Sequence, residues 1–274
     1  LPTRFYFHGH AIGAAGRLTR PFCENIEVQA AAALPAIGGY GASSSTAFRH
    51  RHVLHFDLAH SEVTGGLSGE DKDKPVFVTT LRSIVERLNI LGRVTADRVV
   101  ANLVSIHDGD ENGEPSFKFE GSHFENLRID GIPVDVDLAV DLLDRHHTHE
   151  LARGAYQNDK VFRGFFDAAT LKSKLEKAPS RIRQWFHKPA ADDSQMPHTN
   201  GVTSLSLVRG VKIDSPKLEC WGNVIHLPDF GTIHLADLQL HKHRRRLVMI
   251  RINLGSPVDG DLEVGAVDGN GSPY

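Results

Sequence analysis

The stretch FRHRHVLHFDLAH, residues 48–60, places four histidines within thirteen positions. Imidazole binds divalent metals and moves protons near neutral pH, because its unperturbed pKa is about 6.5. If residues 48–57 form a strand, their side chains alternate between two faces. Phe48, His50, His52, Leu54 and Phe56 then share one face, and Arg49, Arg51, Val53, His55 and Asp57 the other. A His-x-His pair on a strand sets two imidazoles on one side with β-carbons about 7 Å apart, a spacing that can chelate one ion. His50 and His52 are therefore candidate ligands for a divalent metal. His55, Asp57 and His60 are candidate acid/base groups.

A catalytic zinc needs a third protein ligand. The first glutamate after His52 is Glu62, too far along to complete a compact set, so the ligand would have to come from another strand. The same spacing recurs at His8-Gly9-His10 and at His241-Lys242-His243, which makes His241 and His243 a further candidate pair. With 17 histidines in 274 residues, such pairs also arise by chance, and hydrogen-bonded, half-buried imidazoles are the competing reading.

His241 opens a basic run, HKHRRR, whose Arg244, Arg245 and Arg246 offer planar donors to a phosphate, sulfate or uronate. A solvated hairpin tip is the plainer alternative. RHHTHE, residues 145–150, puts His146 and Glu150 four apart on an expected helix, but the glutamate follows the histidines and the order is not HExxH. Nucleophile elbow and P-loop motifs are absent, and GHAIGAAG lacks the context of a dinucleotide site. Trp221, beside Cys220 in a strand, reads as core.

The chain must hold these groups with a framework that composition bounds. Thirty-one basic against 34 acidic residues leave a net charge of −3, which recruits neither nucleic acid nor anionic membrane. No apolar run approaches the roughly 18–20 residues of a membrane-spanning helix. Cys23 and Cys220 form neither a disulfide framework nor a CxxC site. One bridge between the two ends and two buried free thiols are both compatible with that count.

Alternation dominates residues 1–137. RFYFH and NIEVQA are short strands, the histidine run is a strand from Thr46 to about Leu58, and VFVTTLRSIVERLNI pairs through LGR with VTADRVVANLVSI. Asp130-Gly131 marks a type I′ hairpin with Leu127, Ile129, Ile132, Val134 and Val136 on one face. From 138 to 187 the period becomes helical, with DAATLKSKLEKA an amphipathic helix starting at Asp167. Residues 189–201 read as a linker. Residues 188–274 return to alternation, and LVMIRINL turns at Asp259-Gly260 into DLEVGAV. The pattern predicts an antiparallel β-sandwich or barrel, with 1–137 and 188–274 completing one sheet system around a helical insertion.

One region resembles secreted bacterial proteins of the choice-of-anchor type. Leu91-Gly92, Thr95-Ala96-Asp97, Val99 and Leu127 to Gly131 follow their order of a Leu-Gly turn, a TADxV strand and a strand closed by an Asp-Gly turn. The likeness spans about fifty residues and implies a β-rich, extracytoplasmic bacterial protein without an assigned activity. The resulting expectation is a binding or structural protein that presents a surface to a carbohydrate, a small anionic ligand or its own copies. The alternative is a lyase, hydrolase or isomerase working through His and carboxylate groups or a bound metal.

Overall fold

The computed structural model describes residues 5–69, 75–110, 113–169, 180, 196 and 202–273. In chain order the first half runs β1 (Phe5–Arg20), β2 (Glu24–Gln29), β3 (Ala32–Ala33), β4 (Gly39–His50), β5 (Leu54–Ser68), β6 (Val76–Ile90) and β7 (Val94–His107). Short strands β8 (Ser116–Lys118), β9 (His123–Glu125) and β10 (Arg128–Ile129) lead to β11 (Ile132–Leu138). Helices α1 (Val140–Arg145), α2 (His149–Asn158) and α3 (Lys160–Ala169) follow. The chain then returns as β12 (Thr203–Ser206), β13 (Val208–Ile213), β14 (Glu219–Trp221), β15 (Val224–Leu227), β16 (Gly231–His241), β17 (Arg244–Gly255) and β18 (Asp259–Pro273).

These strands form two antiparallel sheets packed face to face, a sandwich and not a closed barrel. The first has the order β14-β15-β16-β17-β18-β1-β2, with β12 on β16 and β3 on β1. The second has the order β13-β11-β10-β7-β6-β5-β4, with β8 and β9 on β7. Chain ends far apart in sequence therefore meet, since β1 lies against β18 along nearly its whole length.

Glycines let the sheets approach. A β-carbon on Gly9 would sit 2.6 Å from Leu81 Cδ2, and one on Gly269 would sit 2.6 Å from Leu81 Cδ1. Leu81, 1 % exposed, is thus clamped between them. GHAIGAAG accordingly lies within β1, where Gly9 and Gly13 admit the opposite sheet.

Each sheet also carries one row where strand pairing lapses without a change of register. In the second sheet the row is Ala47, Asp57, Arg87 and Asp97. In the first it is Ala236, Met249, Gly265 and Gly13. Alternate members are left-handed: Ala47 (φ 50°), Arg87 (53°), Ala236 (46°) and Gly265 (63°). Buried positions skip from two-residue to three-residue spacing here, as in Val85 to Leu88 and Ala96 to Val99. One left-handed residue rotates the strand so that its other face turns inward.

Several expectations meet corrections. The histidine run is not one strand: β4 ends at His50, Arg51 takes φ 51°, and β5 starts at Leu54. Phe48 pairs with Phe56, and their rings stack at 5.1 Å. Asp259-Gly260 lies inside β18, opposite Gly255 and Leu254, so the turn is Ser256–Val258. Gly260 is required because a β-carbon there would lie 2.2 Å from the Arg17 carbonyl oxygen. Asp167 lies within α3, whose N-cap is Asp159, with its side chain accepting from the Val161 and Phe162 amides at 2.7 and 3.2 Å. Arg145–Glu150 spans the break between α1 and α2, so His146 and Glu150 do not share a helix. The rest of DAATLKSKLEKA and residues 189–201 lie outside the described residues, apart from buried Met196. The Asp130-Gly131 hairpin is as expected, with φ of 53° and 74° and Leu127, Ile129 and Val134 buried.

Candidate functional site

The hairpin tip scatters the first candidate set. His52 projects from the turn into solvent, while His50 Nε2 lies 3.3 Å from Glu24 Oε2 on β2. Glu24 also takes a fork from Arg51, and that hydrogen bond holds its carboxyl below the usual range. His50 thus makes a tip contact with Glu24, whereas His52 faces solvent. His55 lies across from Arg49, Asp57 pairs with Arg87 at 3.4 Å, and His60 bonds Ser44 Oγ at 2.7 Å with Glu62 3.8 Å away. Asp57 and His60 are thus committed to different neighbours. Among the described residues no group of three His, Cys, Asp or Glu is placed to hold a metal ion. Cys23 and Cys220 are free and both residues are exposed, against the expectation of a bridge or buried thiols. Crowding around the Cys220 sulfur still pushes its pKa up to about 11.

The other two His-x-His pairs converge on one face. Cross-strand register carries His8 on β1 to Asn270 on β18, then Arg244 on β17, then His241 on β16. The next row runs His10, Asp268, Arg246 and Gln239. At about 4.8 Å per strand, His8 and His241 stand roughly 14 Å apart, too far for a shared ion. Between them lie the arginines of the basic run.

Arg244 forks Asp268, with Nε 2.6 Å from Oδ1 and Nη2 on Oδ2. Asp268 is 2 % exposed, and its hydrogen bonds raise the Arg244 pKa. His10 Nε2 stands 3.8 Å from the same carboxylate, yet burial outweighs that attraction and lowers the His10 pKa. Arg246 Nη2 donates to Glu263 Oε2 at 2.6 Å. Arg245 points the other way, between the sheets, because alternation along β17 reverses it. Further along the outer face, Arg251 Nε donates to Asp237 Oδ2 at 2.8 Å and Asn223 Nδ2 to Asp237 Oδ1 at 2.9 Å. Burial nonetheless raises the Asp237 pKa.

Where β16 turns into β17 the surface opens as a cleft of about 230 Å³ lined by Val202, Gln239, His241, His243, Arg244 and Arg246. The Asp268 fork orients the Arg244 guanidinium and a single hydrogen bond to Glu263 orients that of Arg246, and both leave further N–H groups to serve a ligand, since each guanidinium carries five. Gln239 and the imidazoles add donors and acceptors, and Val202 an apolar wall. Arg244, Arg246, His241 and His243 were legible from the basic run. Asp268, Glu263, His10 and Gln239 were not, because what brings them in is the β1–β18–β17–β16 order.

No curated protein and no solved structure matches the chain. The model of the family described as "Domain of unknown function (DUF8256)" matches residues 5–241, and the protein belongs to that family.

Proposed function

We propose that the protein is a binding protein whose β16–β17 cleft takes a small carboxylate-bearing ligand, with a uronate-type sugar the best chemical fit. The observation that carries this reading is the cleft itself, with two pre-oriented guanidiniums, two imidazoles and an amide around one apolar wall. Planar guanidinium matches carboxylate, and amide and imidazole match hydroxyls. Its 230 Å³ falls below the roughly 300–1,000 Å³ of drug-sized pockets, a size for one sugar residue.

Calorimetric titration with glucuronate, galacturonate and glucose at pH 7 tests it. Either uronate binds at least about tenfold more tightly than glucose, and Arg246→Gln weakens that binding by about tenfold, the 1.4 kcal/mol of one charge-assisted hydrogen bond. Equal response to glucose, or uronate binding untouched by Arg246→Gln, refutes the assignment.

A further inference from the structure

Three consecutive arginines meet two different fates. Arg244 and Arg246 reach carboxylates on the outer face, whereas Arg245 is 2 % exposed between the sheets. Its Nη1 donates to the carbonyls of His241 and Arg244, and its guanidinium lies 4.4 Å over the Phe117 ring of β8. Among the described residues no carboxylate comes within ion-pair distance of it, which is rare for a buried charge. Nε and Nη2, the two donors along one edge of the guanidinium, make no hydrogen bond to a described residue, and neither is wholly sealed from solvent.

His149, at the start of α2, lies within electrostatic reach of Arg245, Arg153 and His241, and burial, the largest cause, lowers its pKa. Among the described residues Glu114 is the carboxylate that acts on Arg245, and its Oε2 already accepts the Glu150 amide at 2.9 Å. Burial depresses the Arg245 pKa to about 9, in keeping with a cation that lacks a close counter-ion.

We propose that Arg245 is the core of a second, internal binding site that takes an oxyanion on its Nε/Nη2 fork, between β17, β8 and the start of α2. The ligand is a carboxylate or an inorganic phosphate or sulfate, because a fork offers two parallel N–H donors to two oxygens. This site is separate from the β16–β17 cleft and does not depend on its ligand.

Thermal unfolding at constant ionic strength and pH 7.5 tests it, with chloride replaced in turn by formate, phosphate and sulfate. The melting temperature rises by about 3 °C or more in an oxyanion relative to chloride. A response to formate alone identifies a carboxylate, and a response to phosphate and sulfate an inorganic oxyanion. Arg245→Met abolishes the rise, whereas Arg246→Gln keeps it, which separates this site from the cleft. Glu114→Gln enlarges the rise, because a repelling charge is gone, and this variant decides the matter should Arg245→Met fail to fold. An undiminished rise in Arg245→Met overturns the proposal. So does a Glu114→Gln protein that is destabilised and gains nothing from oxyanions, since Glu114 would then be the counter-ion.

Discussion

His234 gives the sharpest quantitative prediction. It is 2 % exposed on β16, and burial, aided by the charge of Arg251, lowers its pKa to about 3. Its ring is neutral in the fold, with Nδ1 placed 3.3 Å from Arg251 Nη2 as an acceptor. A histidine whose folded pKa lies below its unfolded value stabilises the fold above the unfolded value and loses that contribution as pH falls. The unfolded chain takes up a proton near pH 6.5 while the folded chain does not. Between pH 7.5 and pH 5 the difference amounts to about 1.5 logarithmic units, or about 2 kcal/mol at 1.36 kcal/mol per unit. The figure hardly changes so long as the folded pKa stays below about 4.

Urea unfolding followed by circular dichroism at both pH values measures this. His10, His107, His146, His149 and His243 are also lowered by burial and add to the acid loss. Asp237, which faces the same Arg251 and is raised by burial, works in the opposite direction. The wild-type slope alone is therefore not diagnostic, and His234→Gln supplies the comparison. Its amide oxygen can accept from Arg251 but cannot titrate. The variant should lose about 2 kcal/mol less than wild type between pH 7.5 and pH 5. Equal losses in the two proteins would refute the reasoning.

Two further predictions probe how the sheets are built. Gly269→Val drives a side chain into Leu81 Cδ1, already closed in by Gly9, and should cost about 1–3 kcal/mol in urea unfolding, partly recovered by Leu81→Ala in the same chain; no loss in the single variant would deny the close approach. At Ala47, left-handed with φ 50° in β4, stability should rank Gly above Ala above Val, with Ala47→Gly gaining up to about 1 kcal/mol. Strand propensity alone demands the reverse order.

Those rows of left-handed residues mark where reading the sequence succeeds and where it fails. Period-two alternation correctly finds β6, β7 and the β10–β11 hairpin, since each carries its own pattern or turn chemistry. It cannot see that Ala47, Arg87 and Ala236 take a conformation ordinarily left to glycine. Past each of them an alternating pattern assigns side chains to the wrong face. The histidine run fails for a related reason. Arg51 is no signal for a turn, yet Glu24 holds it and His50 from β2, and tertiary contact overrides the local pattern. Asp268 carries no local signal either, because only the pairing of β18 with β17 brings it beside Arg244.

The charge balance of the outer face bears on which anion the cleft suits. Arg244 and Arg246 are matched by Asp268 and Glu263, so the four side chains sum to zero. Burial lowers the His243 pKa, which leaves its ring neutral at pH 7. A multiply charged ligand such as a polyphosphate would find little excess positive field there, and field is what such ligands need. What the cleft does offer is direction: guanidiniums held in place by carboxylates, with unused N–H groups beside an amide and two imidazoles. Fixed donors favour a ligand with one carboxylate and several hydroxyls, because each bond is then made without ordering a free side chain. On the proposed reading, the same carboxylates that quench the field of the basic run would make it selective.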